Sequence, residues 1–213
     1  MNNLKGVGVA LVTPFNEDLS VDFDSLTRLI EYNIENGTNY LVVLGTTAEA
    51  ATLSKEEKKE VIKHVIKINS KRLPLVLGIG GNNTLEVKKQ IEETDLSDFD
   101  AVLSVSPYYN KPNQEGLYQH YKALAETGKQ IIIYNVPGRT GQNIEAATTV
   151  RLAKEFPNLF MIKEACPNIN QYFDILRTKP EGFSLVSGDD EYALPVTLAG
   201  GDGVISVIGQ GYP

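Results

Sequence analysis

The chain of 213 residues is poor in the residues that several protein classes need: it has one Cys, two His, two Met and no Trp. Its single cysteine, Cys166, excludes an intramolecular disulfide and a cysteine-rich metal site, and it favours a reducing, cytoplasmic location. The histidines, His64 and His120, both fall in amphipathic stretches with helical spacing, where we expect surface or helix-packing roles. A His-rich metal site is therefore not expected, and a Ser-His-Asp or Cys-His arrangement lacks its base.

The charge balance and the short apolar runs exclude two kinds of partner. The chain has 20 Lys and Arg against 27 Asp and Glu, a formal charge of −7 at pH 7. Because no run of basic residues supplies a clustered positive field, we expect no nucleic-acid partner. The apolar runs are too short to span a bilayer and the N-terminal segment lacks the pattern of a signal peptide, so we expect no membrane partner.

Short apolar, β-branched runs alternate with amphipathic stretches along the whole chain. Eight runs predict strands, at residues 7–12, 40–44, 75–79, 101–105, 131–134, 159–162, 183–186 and 203–208. Seven stretches between them predict helices, at residues 24–36, 55–69, 84–96, 114–126, 144–155, 168–177 and 191–198. Strict alternation indicates a parallel sheet. Eight repeats without a GxGxxG after the first strand favour a TIM (β/α)8 barrel over an open doubly wound sheet.

Polar residues follow most of the predicted strands, and the C-terminal strand ends are where barrel enzymes hold their active sites. Lys163 is the most informative of them, because it closes an otherwise apolar strand. Alternation along the strand places Lys163 and Met161 on one face and Glu164 on the other. In a barrel mouth, loss of hydration would lower the pKa of the Lys163 amine, and a neutral amine attacks carbonyl carbon to give a Schiff base. The alternative is a lysine that extends into solvent.

Hydroxyl groups and one guanidinium stand at neighbouring strand ends. Tyr134 ends the strand before that of Lys163 and can pass a proton during imine formation. Thr46 and Thr47 supply two adjacent hydroxyls for a carboxylate or a proton relay, and Arg139 offers bidentate recognition of a carboxylate. Each of them could instead cap a turn or lie solvated at the surface. Their convergence at neighbouring strand ends favours a site.

Three other features have ordinary explanations. Cys166 follows the strand of Lys163 with no His beside it, which fits a small buried residue better than a nucleophile. Asp189 and Asp190 could bind a divalent cation, but helix capping after Gly188 explains them equally well, and we predict no metal. The glycine-rich segments 78–81 and 200–203 are weak evidence for phosphate binding, because neither leads into a phosphate-binding helix motif.

Six motifs together resemble the dihydrodipicolinate synthase (4-hydroxy-tetrahydrodipicolinate synthase) family of pyruvate-dependent class I aldolases. They are GTTAE at 45–49, SPYYNKP at 106–112, YNVPGRT at 134–140, IKEA at 162–165, SGDD at 187–190 and GVISV at 203–207. The match runs along essentially the whole chain. Ala48 replaces the Gly usual in GTTGE, which should matter only if that position needs φ above zero.

The resemblance implies an enzyme that condenses pyruvate with L-aspartate 4-semialdehyde in lysine and diaminopimelate biosynthesis. It implies no cofactor, because the intermediate is a covalent pyruvate imine on Lys163. By the resemblance, Tyr134 gives and takes protons and Thr46 joins the relay. Tyr109 reaches across a dimer contact into the neighbour's site, which implies a homodimer or homotetramer.

The resemblance also implies which residues bind the substrates. Thr47 and the backbone of Ile205 would hold the carboxylate of pyruvate, and Gly188 belongs to the same substrate-binding set. Arg139 would receive the carboxylate of the semialdehyde. Sialic acid lyases such as N-acetylneuraminate lyase resemble the pattern at the Lys and the Tyr but generally lack that Arg.

Alternatives from other classes remain open at this stage. The chain could be a sister pyruvate-dependent aldolase such as N-acetylneuraminate lyase, or a non-catalytic barrel that binds a small carboxylate. A barrel that binds phosphate or a flavin has little support. The length adds an expectation of its own, because members of such a family continue past strand eight with a further helix and a C-terminal helical segment. We expect residues 1–213 to form one (β/α)8 barrel domain that lacks both, with an exposed apolar flank.

Overall fold

The computed structural model describes residues 4–213, which form eight parallel strands closed into a barrel in sequence order. The TIM-barrel prediction is confirmed. The strands are β1 Gly6–Ala10, β2 Tyr40–Val43, β3 Leu75–Gly78, β4 Ala101–Val105, β5 Ile131–Asn135, β6 Leu159–Glu164, β7 Ser184–Ser187 and β8 Gly203–Ser206. Closure comes from the parallel pairing of β1 with β8, in which Gly8 lies opposite Ile205.

Helices surround the barrel and connect consecutive strands. They are α1 Phe23–Glu35, α2 Lys55–Asn69, α3 Thr84–Glu93, α4 Gln114–Ala125, α5 Pro137–Thr140, α6 Ala146–Glu155, α7 Ile169–Thr178 and α8 Ala193–Leu198. Single 3-10 turns span Thr46–Ala48, Asp190–Tyr192 and Ile208–Gln210. Among residues 4–213, no helix combines the length and the apolar character that crossing a bilayer requires.

Several predicted boundaries were wrong because polar side chains take up backbone N–H groups at the element ends. Strand eight stops at Ser206, since the N–H groups of Val207 and Ile208 donate to the Asp190 carboxylate at 3.0 and 3.1 Å. The helix predicted from residue 144 begins at Ala146, because the Ile144 N–H donates to Asn135 Oδ1 instead. The short helix α5 was not predicted.

Capping side chains mark most helix starts. The capping box before α2 is present, with Ser54 Oγ accepting from the Glu57 N–H and the Glu57 side chain accepting from the Ser54 N–H. Asp22, Asn83 and Asn113 cap α1, α3 and α4 through side-chain oxygens that accept backbone N–H groups of the first turn. Local sequence therefore determines where these helices begin.

Apolar side chains fill two separate layers. A larger cluster lies between the strands and the helices, and a smaller one fills the barrel interior. Tyr40 occupies the interior beside Gly8, where a Cβ would lie 2.2 Å from the Tyr40 ring. Above these side chains, Tyr134 and Lys163 stand at the C-terminal ends of β5 and β6. Below them the interior positions of β5 and β6 are the apolar Ile132 and Met161, so the polar interior groups of these two strands lie at the mouth.

Candidate active site

Lys163 lies inside the barrel mouth, with only 4% of its surface exposed. It stands opposite Tyr134 in the β5–β6 register, and its Nζ is 4.4 Å from the centroid of the Tyr134 ring. On its other side is Gly188, where a Cβ would lie 2.8 Å from Lys163 Cε and 2.9 Å from Lys163 Cγ. A side chain at position 188 would therefore displace the lysine. The predicted orientation of Lys163 into the barrel is confirmed.

Burial is the main influence on the Lys163 amine. Loss of hydration lowers the pKa of Lys163 from 10.5 to about 8, the nearby Asp190 carboxylate opposes that change, and the Arg139 guanidinium adds to it. A substantial fraction of the amine is therefore neutral near physiological pH. The site can present a nucleophilic nitrogen without a separate base.

Tyr134 and Thr46 form a hydroxyl pair beside the amine. Burial raises the pKa of the Tyr134 phenol, while a side-chain hydrogen bond with Thr46 and the charge of Arg139 oppose the rise. Thr46 opens the 3-10 turn that follows β2, and Leu44 and Glu49 on either side of that turn have φ of 54°. The turn thus places a hydroxyl next to the phenol at the cost of two left-handed residues.

Ala48 occupies the last position of this turn without strain. It is not among the residues with positive φ, and it is buried with its carbonyl accepting from Thr13 Oγ1 at 2.7 Å. The departure from GTTGE therefore requires no left-handed backbone at that residue.

The remaining residues of the predicted site lie around the mouth at different depths. Ile205 is fully buried in β8, and Thr47 is half-buried in the turn after β2. Arg139 is exposed on α5, yet close enough to influence the pKa of both Lys163 and Tyr134. Tyr109 is 88% exposed in the segment after β4, with φ of 73°. The fold gathers the first three at the mouth and leaves Tyr109 at the surface.

Asp190 has a role that the capping interpretation did not include. Asp189 caps the following turn through the Glu191 N–H, as predicted. Asp190 instead accepts from Ser206 Oγ at 2.5 Å and holds the backbone after β8. It also supplies the negative charge that partly offsets the desolvation of Lys163. Two consecutive acids after a strand were the available signal, but only the fold shows that they face different partners.

Glu164 was also missed as a candidate. Its side chain is fully buried on the outer face of β6, and burial raises the pKa of its carboxyl to about 7. The signal was present in the sequence, because an acidic residue that ends an apolar strand is as unusual as the lysine before it.

Groups outside the mouth behave as packing residues. Cys166 is buried, and burial raises the pKa of its thiol to about 12, which disfavours a nucleophilic thiolate. His64 Nε2 is 2.8 Å from Thr27 Oγ1 between α2 and α1, and His120 Nδ1 is 2.8 Å from Thr84 Oγ1 between α4 and α3. Within the described part of the chain, no group of three His, Cys, Asp or Glu residues is placed to hold a metal ion.

The glycine-rich segments allow the backbones of neighbouring segments to lie close together. A Cβ at Gly78 would lie 2.2 Å from the Leu44 carbonyl oxygen, and a Cβ at Gly203 would lie 2.0 Å from the Gly6 carbonyl oxygen. Gly203 also has φ of 142°. Packing of neighbouring strands therefore explains these glycines.

The buried amine should lower the stability of the protein. The difference between a pKa of 10.5 in the unfolded chain and about 8 in the fold corresponds to roughly 3 kcal/mol of destabilisation below pH 8. That cost disappears as the pH rises from about 8 towards 10.5, because the unfolded state then loses its proton too. We expect Lys163→Met to raise the free energy of unfolding at pH 7 by up to that amount, and by less at pH 9.5, in urea titrations.

Lys59→Met is the matched control, because Lys59 is exposed on α2. Its effect should be small and the same at both pH values. A Lys163→Met protein that is no more stable than the parent at pH 7, or whose gain does not shrink at pH 9.5, would contradict the assignment of a desolvated amine.

A family model and the related proteins indicate the same family. The model of the dihydrodipicolinate synthetase family matches residues 3–212. A 4-hydroxy-tetrahydrodipicolinate synthase from Flavobacterium psychrophilum is 58% identical over 209 residues, which cover 98% of this chain and 71% of that protein.

Solved structures agree. The chloride-inhibited dihydrodipicolinate synthase from Acinetobacter baumannii, complexed with pyruvate, is 46% identical, with a TM-score of 0.93 over 98% of this chain and 72% of that one. A structure described as the first monomeric dihydrodipicolinate synthase variant is 41% identical, with a TM-score of 0.93 over 97% of this chain and 70% of that one. With the closed barrel and the lysine at the end of β6, these matches show that the chain belongs to the dihydrodipicolinate synthetase family.

Proposed function

We propose that the protein is a Schiff-base lyase that condenses pyruvate with L-aspartate 4-semialdehyde to 4-hydroxy-tetrahydrodipicolinate, in lysine and diaminopimelate biosynthesis. The observation that carries the proposal is the buried Lys163 amine, 4.4 Å from the Tyr134 ring centroid and with its pKa lowered to about 8. The family supports the same activity. No cofactor takes part, because the imine itself withdraws electrons from the pyruvate carbon.

The first half of the reaction makes a nucleophile from pyruvate. Neutral Lys163 Nζ attacks C2 of pyruvate, and one proton of the added nitrogen moves to the new alkoxide to give a carbinolamine. A second proton on the same oxygen lets it leave as water, so that an iminium forms. Tyr134 gives that second proton and Thr46 passes it on; in support, the Thr46 hydroxyl is near enough to the Tyr134 phenol to lower its pKa. Loss of a proton from C3 then gives the enamine. Thr47 and the backbone of Ile205 hold the carboxylate and keep C2 next to Nζ.

The second half joins the two substrates. The enamine carbon attacks the aldehyde carbon of the semialdehyde, and the new oxyanion takes a proton. The amine of the bound semialdehyde then attacks the imine carbon, which closes the ring and returns Lys163 as the free amine. Arg139, exposed at the mouth on α5, binds the semialdehyde carboxylate. Gly188 leaves the space beside Lys163 that the imine needs.

Trapping with borohydride tests the imine. In the presence of pyruvate, reduction should attach one reduced pyruvate to Lys163, which peptide mass spectrometry locates. Because only the neutral amine attacks, the trapping rate should rise with pH through about 8 and level off above it. Lys163→Met should give no adduct. A wild-type protein that forms no adduct, or that forms it at another lysine, contradicts the proposal.

The acceptor is tested through Arg139. We expect Arg139→Ala to raise the KM for aspartate semialdehyde by roughly 10- to 100-fold, because a charge-assisted hydrogen bond to the carboxylate is lost. Pyruvate should still be trapped fully at Lys163. Arg177→Ala, at an exposed arginine of α7, is the control and should leave KM unchanged. Turnover that prefers an amino-sugar aldehyde over the semialdehyde would indicate a sister aldolase. Binding of pyruvate without any turnover would indicate a non-catalytic barrel.

The oligomer completes the site through Tyr109. This side chain is 88% exposed and has a left-handed backbone, so the fold of one chain presents it without burying it. We infer a homodimer or homotetramer in which Tyr109 enters the mouth of the neighbouring barrel and extends the hydroxyl relay.

Mixing two inactive variants tests this arrangement. Lys163→Met and Tyr109→Phe chains should each have low activity alone. After joint refolding, mixed dimers contain one intact site, and random pairing should restore about a quarter of the wild-type activity. Absence of any recovery, with mixed dimers demonstrated by mass spectrometry, would show that Tyr109 acts within its own chain or not at all.

A further inference from the structure

Glu164 lies directly behind Lys163, on the outer face of the same strand, and the reaction steps above do not use it. Its side chain is fully buried. Oε1 accepts from Asn135 Nδ2 at 2.7 Å and from the Cys166 N–H at 2.9 Å, and Oε2 accepts from Gln171 Nε2 at 2.9 Å. A buried carboxylate that accepts three hydrogen bonds at a strand end has a specific role beyond packing.

These contacts join several of the elements around the catalytic pair. Asn135 follows Tyr134 in β5 and stands opposite Glu164 in the β5–β6 register. Asn135 Nδ2 also donates to Asn143 Oδ1 at 2.8 Å, and Asn143 Nδ2 donates to Gln171 Oε1 at 2.8 Å. Asn143 lies between α5, which carries Arg139, and α6, while Gln171 belongs to α7. One carboxylate thus connects β5, β6, α7 and the segment after α5.

The donors and acceptors of this network are consistent only if the side chain at position 164 accepts every hydrogen bond that it makes. Each amide side chain has one donating and one accepting end, whereas both oxygens of Glu164 receive N–H groups. One of these donors is the backbone of Cys166, which cannot reverse. With Gln at position 164, the new NH2 would face the NH2 of Gln171. Reversing Gln171 would only move the conflict to Asn143, whose NH2 already points at Gln171.

We propose that Glu164 is a positioning residue for the reaction: its carboxylate fixes the ends of β5 and β6 relative to each other, and so holds Lys163 Nζ beside Tyr134. The inference rests on the proposed function. It assigns to Glu164 no contact with substrate, since the residue lies on the opposite face of the strand from the lysine. Its effect is on the distance and angle between the amine that attacks pyruvate and the phenol that gives the proton for loss of water.

The test measures the rate and the number of sites separately. In borohydride trapping with pyruvate, the final amount of adduct counts competent lysines, and the rate constant reports their positioning. We expect Glu164→Gln to keep about one adduct per chain at completion but to slow the rate constant roughly 10- to 100-fold, because small misplacements of reacting groups have effects of that size. A purely structural role would instead lower the number of sites and leave the rate of each unchanged.

Exchanging the residues at positions 164 and 171 tests which of them must accept the hydrogen bond and which must donate it. Gln171→Glu alone should also slow trapping, because two carboxylates would then face each other. In the double variant Glu164→Gln/Gln171→Glu, the amide introduced at position 164 can donate to the carboxylate introduced at position 171, which still accepts from Asn143 Nδ2. The double variant should be faster than either single variant. It should remain below wild type, because Gln171 Nε2 also donates to the Ile144 carbonyl at 3.0 Å and that bond is lost.

Thr149→Val is the matched control for changing a buried polar group. Thr149 is fully buried in α6, and its Oγ1 has no hydrogen-bond partner among the described residues. The variant should trap pyruvate at the wild-type rate. If Glu164→Gln does not fold, Asn143→Ala, at a half-buried position between Asn135 and Gln171, should show a smaller loss of rate at full site number.

Three results would overturn the inference: a trapping rate in Glu164→Gln within about twofold of wild type, a loss of sites with normal rates, or no recovery in the double variant. Absence of any adduct in wild type would instead reject the proposed function. In that case, the rate of Lys163 acylation by acetic anhydride reports the position of the amine without pyruvate, and an unchanged rate in Glu164→Gln would reject the positioning role as well.

Discussion

Desolvation of one amine is the physical constraint on which the rest of the site depends. Lys163 is held among groups that exclude water, and burial is the largest influence on its pKa. A lysine exposed to solvent would remain protonated near pH 7 and would not attack a carbonyl. The barrel supplies the exclusion of water, because filled layers of apolar side chains below the mouth leave no solvent path from that side.

Keeping a buried amine requires compensation nearby. Asp190 offers partial charge balance without forming a direct ion pair with Lys163, since its oxygens are engaged by Ser206 and the backbone after β8. A closer carboxylate would hold the proton on the lysine and remove the nucleophile. Gly188 contributes by having no side chain, because Lys163 Cε lies where a Cβ at 188 would collide. Burial of Lys163 therefore favours its reaction with a carbonyl and lowers the stability of the fold.

The two faces of β6 carry ionisable residues with different roles. The inner face carries Lys163, and the outer face carries Glu164 with its bonds to Asn135 and Gln171. The alternation of a strand makes this possible, since consecutive residues point to opposite sides. Each face holds an ionisable group whose pKa burial moves towards neutrality, to about 8 for Lys163 and about 7 for Glu164. The hydrogen bonds differ, because the carboxylate is surrounded by donors while the amine is left without a bound anion.

The sequence by itself determined the closed barrel and the inward orientation of Lys163. The hydrophobic periodicity, the number of strands and the polar residues at the strand ends are local properties that can be read from the sequence. It also predicted that Tyr134, Thr46 and Arg139 share the barrel mouth with the lysine, since the C-terminal ends of all strands in a closed parallel barrel meet at one rim. Tertiary structure alone decided what depends on contacts between distant segments. It paired Asp190 with the end of β8, shortened that strand, and joined Glu164 to Asn143 and Gln171. Local pattern cannot predict such bonds, because the direction of an amide and the partner of a carboxylate depend on which segments the closed barrel brings within about 3 Å of each other.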